Sequence, residues 1–457
     1  MVSKKYIYYI IVLTLSLSGP VKAQETEAKQ QAAKHFLILV TSDNELLVDQ
    51  SLEYIRSHWK EGYESMLIET LHFSIQRKVS KDYLDLLQSK TGKEFGPDLD
   101  RWYHWLWNKP AAYSSEYFDF KAKLYGLIDH RFATYFSQRK KQSTIRLDEV
   151  MWGGVLQDGI PPLRNPKMLA AGDADYLSDE DIVFGIELNG DARAYPKRIL
   201  AWHEMFTDRI GEIDVAGVYC TLCGTMIVYK TSFEGQSYEL GTSGFLYRSN
   251  KLMYDMKTQS LWSTLLGEPV IGPLVGRGIK LSYISVVTTS WGDWKKRHPH
   301  STVLSSDTGF DRNYGEGVAY ASYFATDELM FQVPVKDDRL KNKDEILAIR
   351  LPRQTDDVIA ISSAFLKKNP LYSTDLGGVA ITVFTDSSGA HRAYATKDLQ
   401  FADYDQISLV SDTKGNLWKL EEANMISDQG VELKRIPTYN AFWFGFKAAF
   451  PNTLLIY

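Results

Sequence analysis

The spacing of apolar positions changes along the chain near Gln142. Up to about Arg146, stretches such as DQSLEYIRSHWKEGYESMLIETLHF place apolar residues three or four positions apart, a spacing that predicts amphipathic helices. Beyond Lys140–Gln142, short β-branched and aromatic runs alternate with glycine and proline, which predicts strands and turns. We therefore expect an α+β protein, with a helical domain over residues 24–148 and a β-rich region that continues almost to Tyr457.

The helical part resembles the stacked helical pairs of HEAT-type repeats. The stretch TGKEFGPDLDRWYHWLW has a turn marked by glycine and proline, followed by an aromatic helix whose rings cluster on one side. This loose resemblance implies an all-α domain. The favoured interpretation is an ordinary helical domain in which the aromatic stripe is simply core, and a protein partner docked on this domain belongs to the alternative of a non-catalytic binding module.

The β-rich region contains three pairs of similar segments in the same order. DIVFGIEL pairs with DEILAIRL, TDRIGEIDVAGVYC with TDLGGVAITVFTD, and WGDWKKRHP with WFGFKAAFP. Such ordered self-similarity predicts an internal duplication. We place the first copy over residues 149–330 and a degenerate second copy over residues 331–457.

The N-terminus predicts export. Lys4 and Lys5 precede the apolar run YIYYIIVLTLSLS, and VKA before Gln24 fits a small-residue cleavage site. We expect a signal peptide over residues 1–23, cleaved after Ala23, and a periplasmic location, with an uncleaved anchor as the alternative. No later segment is apolar enough to cross a bilayer. The net charge of −5 and the pI near 6.0 give no basic surface for nucleic acid.

The chain has only two cysteines, Cys220 and Cys223. The runs AGVYC and TMIVYK on either side predict strands, so the CTLCG turn should join a hairpin. A thiolate there lacks the helix dipole that stabilises it when a CxxC pair begins a helix, and it needs a cation, a metal or turn N–H groups instead. Three interpretations stay open: a redox-active pair, a metal clamp, and an inert bridge.

His203, in AWHEMF, is the best candidate to assist the thiols because the second copy has Pro370 near that place. In the redox interpretation His203, together with Glu204, is a proton shuttle and general base for the thiols. In the metal interpretation Cys220, Cys223 and His203 bind zinc or copper, with His298 and His300 as the next candidates for a fourth ligand. The alternative role for His203 is a hydrogen bond at the edge of a helix.

Several motifs together resemble the bacterial family known as domain of unknown function 3179: GGVLQDGIPPL, ARAYPKRILAWHE, YCTLCGT, SGFLYRSNKLMYD, SLWSTLLGEPVIGPL, WGDWKKRHP and DTGFDRNY. The resemblance extends from about Gly153 to the C-terminus. Some members are selenoproteins with selenocysteine in the CxxC turn, which implies thiol redox chemistry. The family usually has proline after the first cysteine, where this chain has Thr221.

The leading expectation is an exported thiol–disulfide or peroxide-type redox protein. In it Cys220 is the nucleophile, Cys223 the resolving thiol and His203 the base. It would act on an unidentified redox partner or small-molecule substrate as a thiol-dependent oxidoreductase. The alternatives are a zinc- or copper-binding protein, and a non-catalytic binding module whose disulfide only braces a hairpin. No cofactor is assigned beyond the zinc or copper of the metal alternative.

Overall fold

A computed structural model of the chain describes residues 31–74, 80–112, 115–137, 142–351 and 358–457. The signal peptide predicted over residues 1–23 lies outside these ranges. The helices are 31–41 (α1), Glu45–Ser57 (α2), Tyr63–Ser74 (α3), Ser80–Thr91 (α4), Leu99–Trp107 (α5), Ser115–Gly126 (α6), Phe132–Phe136 (α7), Lys197–His203 (α8), Trp291–Arg297 (α9), Ala321–Phe324 (α10), Ser363–Lys368 (α11) and Trp443–Ala449 (α12). The first described strand begins at Val150, so the predicted helical beginning of an α+β chain is confirmed.

The chain divides into two compact units. The first contains the described residues up to Leu99 together with Ala112–Leu124, and the second contains Asp100–Ala111 and Tyr125–Tyr457. In the first unit α2 begins at a capping side chain, because Asn44 accepts a hydrogen bond from the N–H of Leu47. Lys121 and Glu69 form an ion pair of 2.7 Å inside this unit, and their side chains are 1% and 6% exposed.

The strands of the first copy are Val150–Trp152 (β1), Leu163–Arg164 (β2), Met168–Ala170 (β3), Ile182–Leu188 (β4), Asp191–Pro196 (β5), Met205–Ile210 (β6), Ile213–Cys220 (β7), Thr225–Lys230 (β8), Ser232–Phe233 (β9), Gln236–Ser237 (β10), Leu240–Tyr247 (β11), Asn250–Asp255 (β12), Leu261–Ser263 (β13), Glu268–Ile271 (β14), Tyr283–Ile284 (β15), Val287–Ser290 (β16) and Thr302–Leu304 (β17). Those of the second copy are Glu345–Arg350 (β18), Val358–Ser362 (β19), Leu371–Leu376 (β20), Val379–Thr385 (β21), His391–Ala395 (β22), Phe401–Ala402 (β23), Leu409–Asp412 (β24), Leu417–Leu420 (β25), Asn424–Ser427 (β26), Glu432–Ile436 (β27), Thr438–Phe442 (β28) and Leu454–Ile456 (β29).

The strand order is repeated within the β-rich region, as an internal duplication predicts. One sheet contains the order β16-β4-β5-β17, extended by β3, and another has the order β28-β18-β19-β29. In both, the first two pairings are antiparallel and the last is parallel. The turn into the following helix is also repeated, since the N–H of Trp291 donates to Asp181 O (2.7 Å) and that of Trp443 donates to Asp344 O (3.0 Å).

A second repeated element is a three-stranded antiparallel meander. It consists of β6, β7 and β8 in the first copy and of β20, β21 and β22 in the second. The cysteine turn joins β7 to β8, so the predicted hairpin is confirmed. In the second copy the equivalent turn runs from Asp386 to Ala390 and contains no thiol.

The two copies share one hydrophobic core. Tyr219 and Val228 of the first meander belong to the same buried cluster as Ala348, Ala360 and Tyr439 of the second copy. Burial of such apolar side chains is the main favourable contribution to the folding free energy. Among the described helices, none is long and apolar enough to cross a membrane.

Candidate functional site

The two cysteines lie in the tight turn between β7 and β8. Cys220 is the last residue of β7 and pairs with Thr225, the first residue of β8. The N–H of Cys223 donates to Cys220 O at 3.1 Å and closes the turn. Both cysteines are free thiols, and the two residues are 3% and 0% exposed. The turn therefore encloses two neighbouring cysteine side chains almost completely.

Glycine is required after the second cysteine. Gly224 has a φ of +59°, and a Cβ atom there would lie 2.8 Å from the ring of Phe442. Phe442 belongs to the second copy, and its N–H donates to Cys223 O at 2.7 Å. The second copy thus forms one wall of the thiol turn, although it carries no cysteine itself.

Both sulfur atoms approach the same backbone oxygen. Cys223 Sγ lies 3.0 Å from Ser249 O, and Cys220 Sγ lies 3.9 Å from it. Ser249 is in the turn of the β11–β12 hairpin, where Tyr247 pairs with Asn250. The shared acceptor brings the two sulfurs into one small region of the core.

The turn that supplies this oxygen has a strained backbone. Its two central residues, Arg248 and Ser249, have φ values of 51° and 62°, in the left-handed region that usually requires asparagine or glycine. Side chains hold it there: Arg248 pairs with Glu149 and donates to Ala448 O (2.8 Å), and Ser249 Oγ donates to Phe331 O (2.9 Å). Backbone strain maintained in this way is typical of functional sites.

The pKa values of the two thiols are shifted in opposite directions. The Cys223 thiol, acting as a hydrogen-bond donor, lowers the pKa of Cys220 below that of an ordinary cysteine. Burial and the charge of Glu204 raise the pKa of Cys220, whereas N–H groups of Lys251 and Cys223 lower it further. Burial raises the pKa of Cys223, and the adjacent Cys220 raises it as well. Cys220 is therefore the thiol that ionises first.

A buried ion pair lies beside the thiols. Lys251 Nζ is 2.7 Å from Glu204 Oε2, and the two side chains are 7% and 10% exposed. The hydroxyl of Tyr320 donates to the other carboxylate oxygen at 3.0 Å. Glu204 ends α8 with a φ of 54°. This ion pair places one carboxylate and one ammonium group next to the dithiol.

The His203 ring makes its hydrogen bonds away from the thiols. Its Nδ1 lies 2.9 Å from Pro161 O, and because a carbonyl only accepts, Nδ1 carries the proton. Nε2 then accepts from the hydroxyl of Tyr314 at 2.5 Å. Burial lowers the pKa of His203 below its usual value, which favours the neutral ring. The role of His203 as a base for Cys220 stays a prediction.

Across the described ranges of the chain, no group of three or more histidine, cysteine, aspartate or glutamate residues is arranged to hold a metal ion. Cys220, Cys223 and His203 therefore form no such group. His298 lies elsewhere in the second unit, with Nε2 3.7 Å from a carboxylate oxygen of Glu422. The geometry gives the two sulfurs no third protein ligand among these residues.

The sequence pattern identifies Glu204 together with His203, but it does not identify Ser249, Lys251 or Gly445 as neighbours of the thiols. Ser249 and Lys251 occur inside the motif SGFLYRSNKLMYD, and Glu204 follows His203 directly. Gly445 of α12 lies so close that a Cβ atom there would be 3.2 Å from Cys223 Sγ. These residues lie in separate segments of the sequence, and their proximity to the thiols is visible only in three dimensions.

The fold and the site together define an α+β protein whose duplicated β-rich region holds a buried dithiol. The chain matches the family model described as "Protein of unknown function (DUF3179)" over residues 157–453. Because this match covers more than half of the sequence, the chain belongs to that family, and the resemblance found in the sequence is confirmed. Neither the curated proteins nor the solved structures contain a match to the chain.

Proposed function

We propose that this chain is a thiol redox protein in which Cys220 and Cys223 alternate between a dithiol and an intramolecular disulfide. The observation that supports this proposal is the approach of both sulfurs to Ser249 O, at 3.9 and 3.0 Å. In the oxidation two S–H bonds break, one S–S bond forms, and an acceptor takes up two electrons and two protons. Because no helix dipole acts on this hairpin, local hydrogen bonds have to stabilise the thiolate.

Cys220 is the proposed nucleophile and Cys223 the resolving thiol. The single proton of Cys223 has two acceptors within reach, Ser249 O and the Cys220 sulfur. When Cys220 ionises, donation to the thiolate becomes the stronger bond, because hydrogen bonds to charged acceptors are about twice as strong as those between neutral groups. Removing the Cys223 thiol should therefore make Cys220 less acidic.

The test measures both the redox equilibrium and the acidity of the pair. The full chain is equilibrated in dithiothreitol buffers, and the disulfide is quantified by mass spectrometry. A reduction potential near or above the thioredoxin range of about −270 mV supports a working redox couple, whereas a value far below it identifies an inert bridge. In parallel, iodoacetamide alkylation across a pH series should show a higher pKa for Cys220 in the Cys223→Ala variant than in the unmodified chain.

The same alkylation series tests the proposed base. If His203 assists Cys220, His203→Gln lowers the alkylation rate near neutral pH. An unchanged rate in that variant removes His203 from the proposal and leaves the pair itself intact. Export to the periplasm and a protein partner at the helical domain remain part of the proposal, and cell fractionation tests the first of them.

A further inference from the structure

The dithiol is covered by the segment that connects the two copies. We call residues 320–333 the cover segment. Its apolar residues Tyr323, Val333 and Phe331 pack in the same cluster as both cysteines. Together with the core this segment leaves Cys220 only 3% exposed and Cys223 fully buried.

Three hydrogen bonds attach the cover segment to the residues around the thiols. The hydroxyl of Tyr323 donates to the carbonyl of Leu222, which lies between the cysteines, at 2.8 Å. The hydroxyl of Tyr320 donates to Glu204 at 3.0 Å, and Phe331 O accepts from Ser249 Oγ at 2.9 Å. An incoming disulfide must reach the attacking sulfur along its own S–S axis. A protein disulfide can do so here only after this segment has moved.

A small cavity lies next to the thiol turn. Its volume is about 60 Å³, and its lining includes Leu222, Glu204, Lys251, Tyr320 and Phe331. Since a water molecule needs roughly 10–15 Å³ of such space, this volume accommodates a molecule of a few heavy atoms. A peptide or a glutathione-sized disulfide does not fit in it.

Two buried polar atoms beside the sulfurs have no hydrogen-bond partner in the described part of the chain. They are Thr221 Oγ1 and Asn250 Oδ1. The point that a Cβ at Gly445 would occupy lies 3.2 Å from Cys223 Sγ and 3.6 Å from Asn250 Oδ1. A buried hydroxyl and a buried amide oxygen are hydrogen-bonding groups, and their unused capacity makes the surroundings of the sulfurs polar on this side.

We propose that the oxidant of the Cys220–Cys223 pair is a small hydroperoxide, not a disulfide of another protein. This inference rests on the proposed redox function. The Cys220 thiolate attacks one peroxide oxygen, so that an S–O bond forms and the O–O bond breaks. The departing oxygen takes up a proton and leaves as water or a small alcohol. Cys220 is then a sulfenic acid.

The second step closes the disulfide. Cys223 attacks the Cys220 sulfur, the S–S bond forms, and the S–O bond breaks. The hydroxyl leaves with the Cys223 proton as water. Overall the two thiols lose two electrons and the peroxide gains them, and no further reactant is needed for this half of the cycle. Met330, which lines the cavity, is 55% exposed, so the cavity wall includes a side chain that solvent reaches.

The experiment compares oxidants of different size on the reduced full chain. Hydrogen peroxide, oxidised glutathione and oxidised thioredoxin are added at equal concentration, and disulfide formation is followed by quenching and mass spectrometry. We expect hydrogen peroxide to react at least about tenfold faster than either disulfide, because access limits thiol–disulfide exchange. In Cys223→Ala, dimedone should trap a sulfenic acid on Cys220. Equal or faster oxidation by the protein disulfide, or no trapped adduct, overturns the inference.

Two further measurements separate this inference from the proposed function. Tyr323→Phe removes one attachment of the cover segment and should raise the rate with oxidised glutathione more than the rate with hydrogen peroxide, while Tyr372→Phe in the second copy should change neither. Diamide serves as a general thiol oxidant. If diamide forms no Cys220–Cys223 disulfide, the proposed function fails. If diamide forms the disulfide and hydrogen peroxide does not, only the choice of oxidant fails.

Discussion

The packing of the second copy against the thiol turn gives a quantitative prediction at Gly224. In Gly224→Ala the new Cβ would lie 2.8–2.9 Å from three ring atoms of Phe442, at least about 0.6 Å closer than optimal carbon contacts. Overpacking of this kind costs about 1–3 kcal/mol. The left-handed backbone, with a φ of +59°, adds about 1 kcal/mol for a residue that has a Cβ. We expect the free energy of unfolding to fall by about 2–4 kcal/mol, measured by urea denaturation with tryptophan fluorescence.

Gly235 provides the matched control. It also has a positive φ, +77°, but no atom lies within 4 Å of its missing Cβ. Gly235→Ala should therefore cost only the conformational part, about 1 kcal/mol. Phe442→Leu should recover part of the loss when it is combined with Gly224→Ala, because residues in contact are not additive. Equal losses for the two alanine variants, or strict additivity with Phe442→Leu, would refute the packing of Phe442 on the thiol turn.

Two further predictions concern buried charges. Lys251→Met leaves the Glu204 carboxylate buried without its cation and should lower the free energy of unfolding by about 3–5 kcal/mol, more than the Glu204→Gln/Lys251→Met double variant does. A double variant that is less stable in urea than Lys251→Met would contradict this. Glu204→Gln alone removes a charge that raises the pKa of Cys220, so alkylation should show a lower pKa for Cys220 in that variant. Burial lowers the pKa of His391 to about 4, so the unfolded chain binds a proton before the folded one as the pH falls. Stability should therefore decrease by about 3 kcal/mol between pH 6.5 and pH 4, and a denaturation series in which His391→Gln keeps the full decrease would assign it to other groups.

Much of the fold could be predicted because its signals are local. Continuous apolar runs on either side of CTLCG predicted the hairpin, and the structure has β7 and β8 in those places. The parallel between DIVFGIEL and DEILAIRL predicted equivalent strands, which are β4 and β18 in sheets of the same order. The surroundings of the thiols could not be predicted in this way. Ser249 O, Phe442 and Gly445 reach the cysteines from distant parts of the chain.

The dipeptide His203-Glu204 shows which features the sequence determines and which depend on the tertiary structure. Its position just before the thiol strands, and its absence from the second copy, mark it in the sequence. The left-handed backbone of Glu204 ends α8, and the two side chains make separate contacts: the His203 ring with Pro161, and the Glu204 carboxylate with Lys251. The sequence alone determined the elements, the duplication and the location of the thiols, because these depend on neighbouring residues. Only the tertiary structure decided which groups touch the sulfurs, because those contacts arise when distant segments pack together.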